Sequence, residues 1–246
     1  MASELLLLVL AIFLVAGMVK GVIGLGLPTV SLAALTVAVD LPAAVALMVV
    51  PSAVTNIWQG LDGGHFTPLI RRFWLMLLAS AVGVWFSYGL LLVANPKAMT
   101  ALLGIVLCVY AAISLRRGRP TPWPGRERFV SPMVGLATGA LAGATGSMVM
   151  PMVAYLQSLD LKRDAFVQVM GISFAVSTCA IGLAIVEHGN YDHRLVLLSI
   201  AALIPAILGM KLGQWLRRRL SERVFRGTLF IGLFIIGIRL IWKGMS

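Results

Sequence analysis

Polar residues are rare over ten stretches of the chain, at approximately 5–20, 27–39, 41–60, 70–94, 98–115, 129–144, 147–159, 165–187, 194–216 and 224–242. Several exceed 18 residues, the length at which an apolar helix crosses a bilayer. A chain in hydrocarbon must satisfy its backbone internally, so such runs predict helices. Residues 116–128 hold three prolines, two glycines and five arginines and read as a polar linker. Elsewhere the interruptions are glycines and prolines set inside apolar sequence.

One such interruption is written twice. The first copy, GMVKGVIGLGLP, runs from Gly17 to Pro28, and the second, GALAGATGSMVMP, from Gly139 to Pro151. Gly17, Gly21 and Gly24 match Gly139, Gly143 and Gly146 at a constant offset of 122. Other echoes follow at similar spacing: Asp40 and Asp160 before a leucine, Gly60 and Gly182, Gly83 and Gly209. The chain therefore reads as two repeats of about 120 residues, 1–115 and 129–246, joined by the arginine-rich segment 116–128. Glycine and proline break helices and leave backbone polar groups unpaired, which lipid tolerates only where the break faces protein or water. Paired breaks in corresponding positions point to a transporter's binding site.

The basic residues choose between topologies, because cytoplasmic loops are enriched in lysine and arginine. Four simple spans per half would divide them ten to nine, with Lys20 set aside. If 5–39 and 129–159 are instead hairpins returning to the side they entered, only Lys97, Arg194, Arg239 and Lys243 fall outside, four against fifteen inside. Length agrees: residues 5–39 as one helix would extend about 52 Å against a core of about 30 Å. The expected fold is an all-α polytopic membrane protein of two inverted repeats. Each repeat is a broken-helix hairpin plus three spanning helices, and both termini lie outside.

Composition supports this: 60% hydrophobic residues, 12% charged, and a mean hydropathy of +0.98. A soluble domain carries about twice that share of charge. The net charge of +11 sits in short loops, so membrane topology explains it and nucleic-acid binding is not expected. The N-terminus has no basic region ahead of its apolar run, so it reads as the first helix and not as a cleaved signal. Cys108 and Cys179 lie in apolar segments and form no disulfide framework. His65, His188 and His193 fall in loops expected on opposite faces, which argues against a metal site.

The pattern around Gly17, Lys20, Gly21, Gly24, Gly26 and Pro28, repeated more loosely from Gly139 to Pro151, resembles the sulfite exporter TauE/SafE family. The arginine-rich centre and the chain length fit as well, and the resemblance covers essentially the whole chain. It implies a multi-pass carrier of the bacterial cytoplasmic (inner) membrane exporting small sulfur oxyanions or organosulfonates, such as sulfite or sulfoacetate. The second copy departs from the first, with Ala142 in place of Lys20 and Ser147 following Gly146, so two equivalent anion sites are not implied.

An anion in the membrane must exchange its water for hydrogen-bond donors. A helix restarting near Pro28 presents free N–H groups and the positive end of its dipole at Gly24 and Gly26, with Pro28 suited to the first turn. A helix restarting near Ser147 would offer a second set, with Gly26 and Gly146 permitting close backbone approach, Thr145 and Ser147 adding hydroxyls, and Gly21 and Gly143 as further substrate-binding candidates. In an inverted repeat the two breaks can face each other at the midplane. Lys20 is the basic residue inside the first broken segment; its readings are anion contact, snorkelling or a bond to a helix carbonyl. Ser52, Thr55, Asn56 and Gln59 in one span, the last two three apart on one face, and Gln168, Ser173, Ser177 and Thr178 in its counterpart are cavity candidates, against interhelical hydrogen bonding as the alternative. Asp40 and Asp160 read as helix N-caps. The leading expectation is a secondary transporter working by alternating access, the alternative an anion channel using the same cavity. An enzyme is not expected, because the buried serines lack a nearby histidine or carboxylate. No Walker-type motif and no cofactor signature is present. The expected partners are the anion and the lipid bilayer, and a homo-oligomer is compatible with the sequence.

Overall fold

Glycines and prolines, more than changes in hydrophobicity, decide where the helices stop. The computed structural model describes residues 2–115, 126–159, 161–189, 192–217, 219 and 222–245. Among them are ten helices: α1 (Ala2–Ile23), α2 (Leu27–Ala38), α3 (Leu41–Leu61), α4 (Phe66–Val93), α5 (Pro96–Leu115), α6 (Glu127–Thr145), α7 (Met152–Ser158), α8 (Arg163–Glu187), α9 (His193–Arg217) and α10 (Glu222–Met245). No strand occurs among the described residues. Seven helices, α1, α3, α4, α5, α8, α9 and α10, are long and apolar enough to cross a membrane. Most of the linker expected at 116–128, and Asp160, lie outside the described residues. The chain is thus an all-helical, multi-pass membrane protein.

The hairpin arms are unequal. At about 1.5 Å per residue α1 extends about 33 Å and α6 about 28 Å, while α2 reaches about 18 Å and α7 about 10 Å. Each return arm is too short to cross a core of about 30 Å.

The helices cluster into two compact units that draw on both halves of the sequence. One holds α1, α2, α3 as far as Ser52, α5, α9 and α10; the other holds α3 from Ala53, with α4, α6, α7 and α8. In the first unit α1 packs on α9 and α5 on α10. In the second α4 packs on α6 and α8. The entering arm of each hairpin, α1 or α6, therefore packs on the fourth helix of the other sequence half, α9 or α4.

Both of those pairs are fastened by small residues. A Cβ on Gly17 or Gly21 would strike the Ala206 or Met210 carbonyl, and one on Gly209 or Gly213 the Leu14 or Met18 carbonyl. In the other unit Gly135 and Gly139 lie against the Met76 and Ser80 carbonyls, and Gly143 against Val84 and Ser87. Hydrocarbon gives helices no hydrophobic reason to associate, so close backbone approach and dispersion must do it. At the start of α4 and α6, Arg72 grips Glu127 through two bonds of 2.7 and 2.8 Å.

A proline inside α3 receives help from a neighbour. Pro51 has no N–H for the Leu47 carbonyl one turn back. Ser199 of α9 donates its hydroxyl to that carbonyl at 2.7 Å and accepts the Val50 N–H at 3.2 Å. Large apolar side chains face outward, among them Phe86 and Val93 at 82% exposure, which suits lipid as solvent.

Candidate functional site

The first break begins where α1 closes. Gly24, at φ 85°, gives its N–H to the Lys20 carbonyl at 2.7 Å and turns the chain out of the helix. Gly26, at φ 108°, sits ahead of α2, whose first turn contains Pro28. These left-handed values are open to glycine and costly for residues with a Cβ. The first bond of α2 runs from the Val30 N–H to the Gly26 carbonyl at 2.8 Å. The N–H groups of Leu25, Gly26, Leu27 and Thr29 meet no acceptor among the described residues. Leu27 and Thr29 are buried, so these are donors held away from bulk water beside a helix N-terminus. Lys20, one turn before the break, is 3% exposed. Ser31 is committed to its own helix, donating to the Leu27 carbonyl at 2.7 Å.

The second break repeats the opening step. Gly146, at φ 77°, donates to the Ala142 carbonyl at 2.7 Å, the counterpart of the bond from Gly24 to Lys20. Beyond it the two diverge. Residues 147–149 carry no regular structure and helix resumes at Met152, five residues later than the sequence suggested. Pro151 lacks an N–H and restricts the residue before it, which disfavours helix at 147–150. Two threonines of α6 hold the open chain: Thr145 accepts the Ser147 N–H at 3.3 Å, and Thr138 the Met152 N–H at 3.1 Å. The Ser147 hydroxyl is buried and has no partner among the described residues. On α8, Thr178 points its hydroxyl at the Met148 sulfur, 3.4 Å away, while also bonding the Phe174 carbonyl at 2.6 Å. Ser173 is likewise buried with an unpartnered hydroxyl.

The sequence candidates thus separate into groups. Gly24, Gly26 and Gly146 shape the breaks, and Thr145 and Ser147 lie at the second. Gly21 and Gly143 are packed on the backbones of α9 and α4, a role their spacing did not distinguish from site lining. Gln59 and Gln168 are occupied in joining α3 to α8. Gln59 donates to the Val167 carbonyl at 2.7 Å, and Gln168 donates to the Gly60 carbonyl at 2.9 Å while accepting the His65 N–H at 2.9 Å. Ser177 pairs with Ser80 of α4 at 2.9 Å. Asn56 is buried in α3 at 1% exposure. Asp40 accepts the Ala43 N–H at 2.8 Å, as an N-cap should. His188 bonds the Ala184 carbonyl and meets Tyr88 edge-on. The described residues contain no cluster of three or more potential metal-binding side chains. Thr138 escaped the sequence reading. Its signal was a lone hydroxyl in an apolar run, which back-bonding to the helix also produces.

The chain belongs to the family described as Sulfite exporter TauE/SafE, whose model matches residues 9–240. It is accordingly a membrane transporter of sulfur-containing anions such as sulfite, and not an enzyme. No curated protein and no solved structure matches it.

Proposed function

We propose, on the premise that the chain is a transporter of sulfur anions, that it is a secondary carrier exporting a small sulfur oxyanion or organosulfonate, sulfite or sulfoacetate in type. It works by alternating access around its two helix breaks. One observation carries this reading: each break is walled by buried residues and offers donors that the protein leaves unused. At the first these are the N–H groups of Leu25, Gly26, Leu27 and Thr29, and at the second the Ser147 hydroxyl. Neither broken segment contains a carboxylate that would repel an anion. Lys20 supplies the positive charge, through the anion itself or through the potential along its path. The protein spans the bacterial inner membrane with both termini outside. Within the first unit the end of α10 meets the start of α5, where Gly244 lies against the Lys97 carbonyl. The hairpin topology puts those two residues on the same face, and four simple spans per half would separate them.

The test is counterflow in proteoliposomes. Vesicles preloaded with unlabelled sulfite should accumulate labelled sulfite transiently above equilibrium, and sulfoacetate, thiosulfate, sulfate and carboxylate analogues should rank by competition. Flux that never saturates and shows no counterflow would mean a channel. A carboxylate competing better than every sulfur anion would overturn the substrate class.

A further inference from the structure

Arg239 and Lys243 stand four residues apart near the end of α10, with Trp242 beside them, and all three are exposed. With Ile235 and Ile238 of the same helix and Val37 of α2 they line a shallow groove of about 640 Å³. The floor is apolar and the rim basic, and among the described residues no acidic side chain lines it. The Lys243 ammonium donates to the Thr36 carbonyl at 2.8 Å, which fixes it over the end of α2. Arg239 has no ion pair or hydrogen bond among the described residues. The helix around it shows the bilayer Ile235 at 61% exposure, Ile238 at 49% and Trp242 at 77%.

We propose that this groove seats one anionic phospholipid, its phosphate between Arg239 and Lys243 and an acyl chain along Ile238 and Ile235. Two cations four residues apart on a helix are neighbours, about 6 Å between Cβ atoms, close enough for one phosphate to reach both. A guanidinium fork matches phosphate geometry, and an ammonium already held by a carbonyl loses little freedom on binding. Tryptophan settles at headgroup depth, which puts the cations where lipid phosphates lie. A passing soluble anion would use the rim but gain nothing from the isoleucine floor, and that floor selects lipid.

Full-length protein in nanodiscs tests this through Trp242 fluorescence, taken as the difference between the wild type and Trp242→Phe. Brominated phosphatidylglycerol should quench that difference signal at lower mole fraction than brominated phosphatidylcholine. Two basic contacts imply a preference of roughly 30-fold. The preference should shrink in Arg239→Gln, which leaves the Thr36 contact intact, and vanish in Arg239→Gln with Lys243→Gln. Equal quenching by the two lipids overturns the proposal, as does a preference that survives both substitutions. Displacement of the quencher by millimolar glycerol phosphate would also overturn it, by making the site one for free anions.

Discussion

Ser147→Ala separates an anion-binding role from a structural one, because the structure gives its hydroxyl nothing to hold. A buried hydroxyl without a partner costs about 1–3 kcal/mol relative to a paired one. Removing it deletes no bond between protein groups, and alanine fills nearly the same space. Folded stability should therefore stay unchanged or rise by up to about 1 kcal/mol. If the hydroxyl donates to the transported anion, its loss forfeits a bond to a charged group, about 1.5–3 kcal/mol. At about 1.4 kcal/mol per tenfold, apparent affinity for sulfite should fall roughly 10- to 150-fold.

A neighbouring position gives the opposite signature. Thr138→Val strips the acceptor from the Met152 N–H. It should lower stability by about 1–3 kcal/mol, with a smaller effect on affinity. Thermal unfolding in detergent reports the first quantity, and the concentration dependence of counterflow the second. Unchanged sulfite affinity in Ser147→Ala refutes the contact. A loss of stability exceeding about 1 kcal/mol would refute the reading that this hydroxyl has no structural work.

Other substitutions probe the remaining elements. Lys20→Ala should weaken anion uptake more than it lowers folded yield, and transport with unaltered affinity would remove that residue from the mechanism. Gly139→Leu would drive a side chain into the Ser80 carbonyl and should abolish folded protein, whereas Gly227→Leu on α10, with open space around it, should purify normally; equal yields would show that the α4 and α6 contact is not what holds that unit. Ser199→Ala strands the Leu47 carbonyl at a cost of about 1–3 kcal/mol in detergent stability. The cost should largely disappear in a Pro51→Ala background, where the restored N–H takes the carbonyl, and an additive double mutant would refute the coupling.

The helices were legible because bilayer chemistry is blunt: the apolar run at 27–39 became α2 (Leu27–Ala38), and that at 41–60 became α3 (Leu41–Leu61). The restart of helix after the second break was not, since Met148, Val149 and Met150 are as apolar as any helix and hydropathy passes over them. What holds them open is Thr138 and Thr145, whose acceptors a linear reading cannot aim. The glutamines left two readings open for a related reason. Gln59 shares a helix face with Asn56, but α3 ends at Leu61 and leaves late carbonyls such as that of Gly60 without helical donors, and Gln168 reaches it from α8. The glycine motif combined two messages at one spacing. Gly17 and Gly21 fit against α9, as Gly139 and Gly143 fit against α4, and the turn itself begins only at Gly24 and Gly146. Packing needs every fourth residue small, and so does a helix about to break beside its partner, so the pattern alone cannot apportion them.

That division gives the departures between the copies physical meaning. Substituting Ala142 for Lys20 and Met148 for Gly26 leaves the closing bond at 2.7 Å in both breaks, so neither change concerns that bond. Under the proposed function the changes fall on the groups that would meet the anion. The first break keeps a buried lysine one turn before a run of free amides. The second keeps neutral hydroxyls and closes part of its backbone with threonine. A doubly charged oxyanion desolvated by two cations would leave slowly, because attraction between charges strengthens as water is excluded. A break with a single cation, or with neutral donors alone, holds an anion less tightly and releases it faster, which export requires. Ala142→Lys should then tighten sulfite binding and slow its turnover, a split between affinity and maximal counterflow rate that equal change in both would refute.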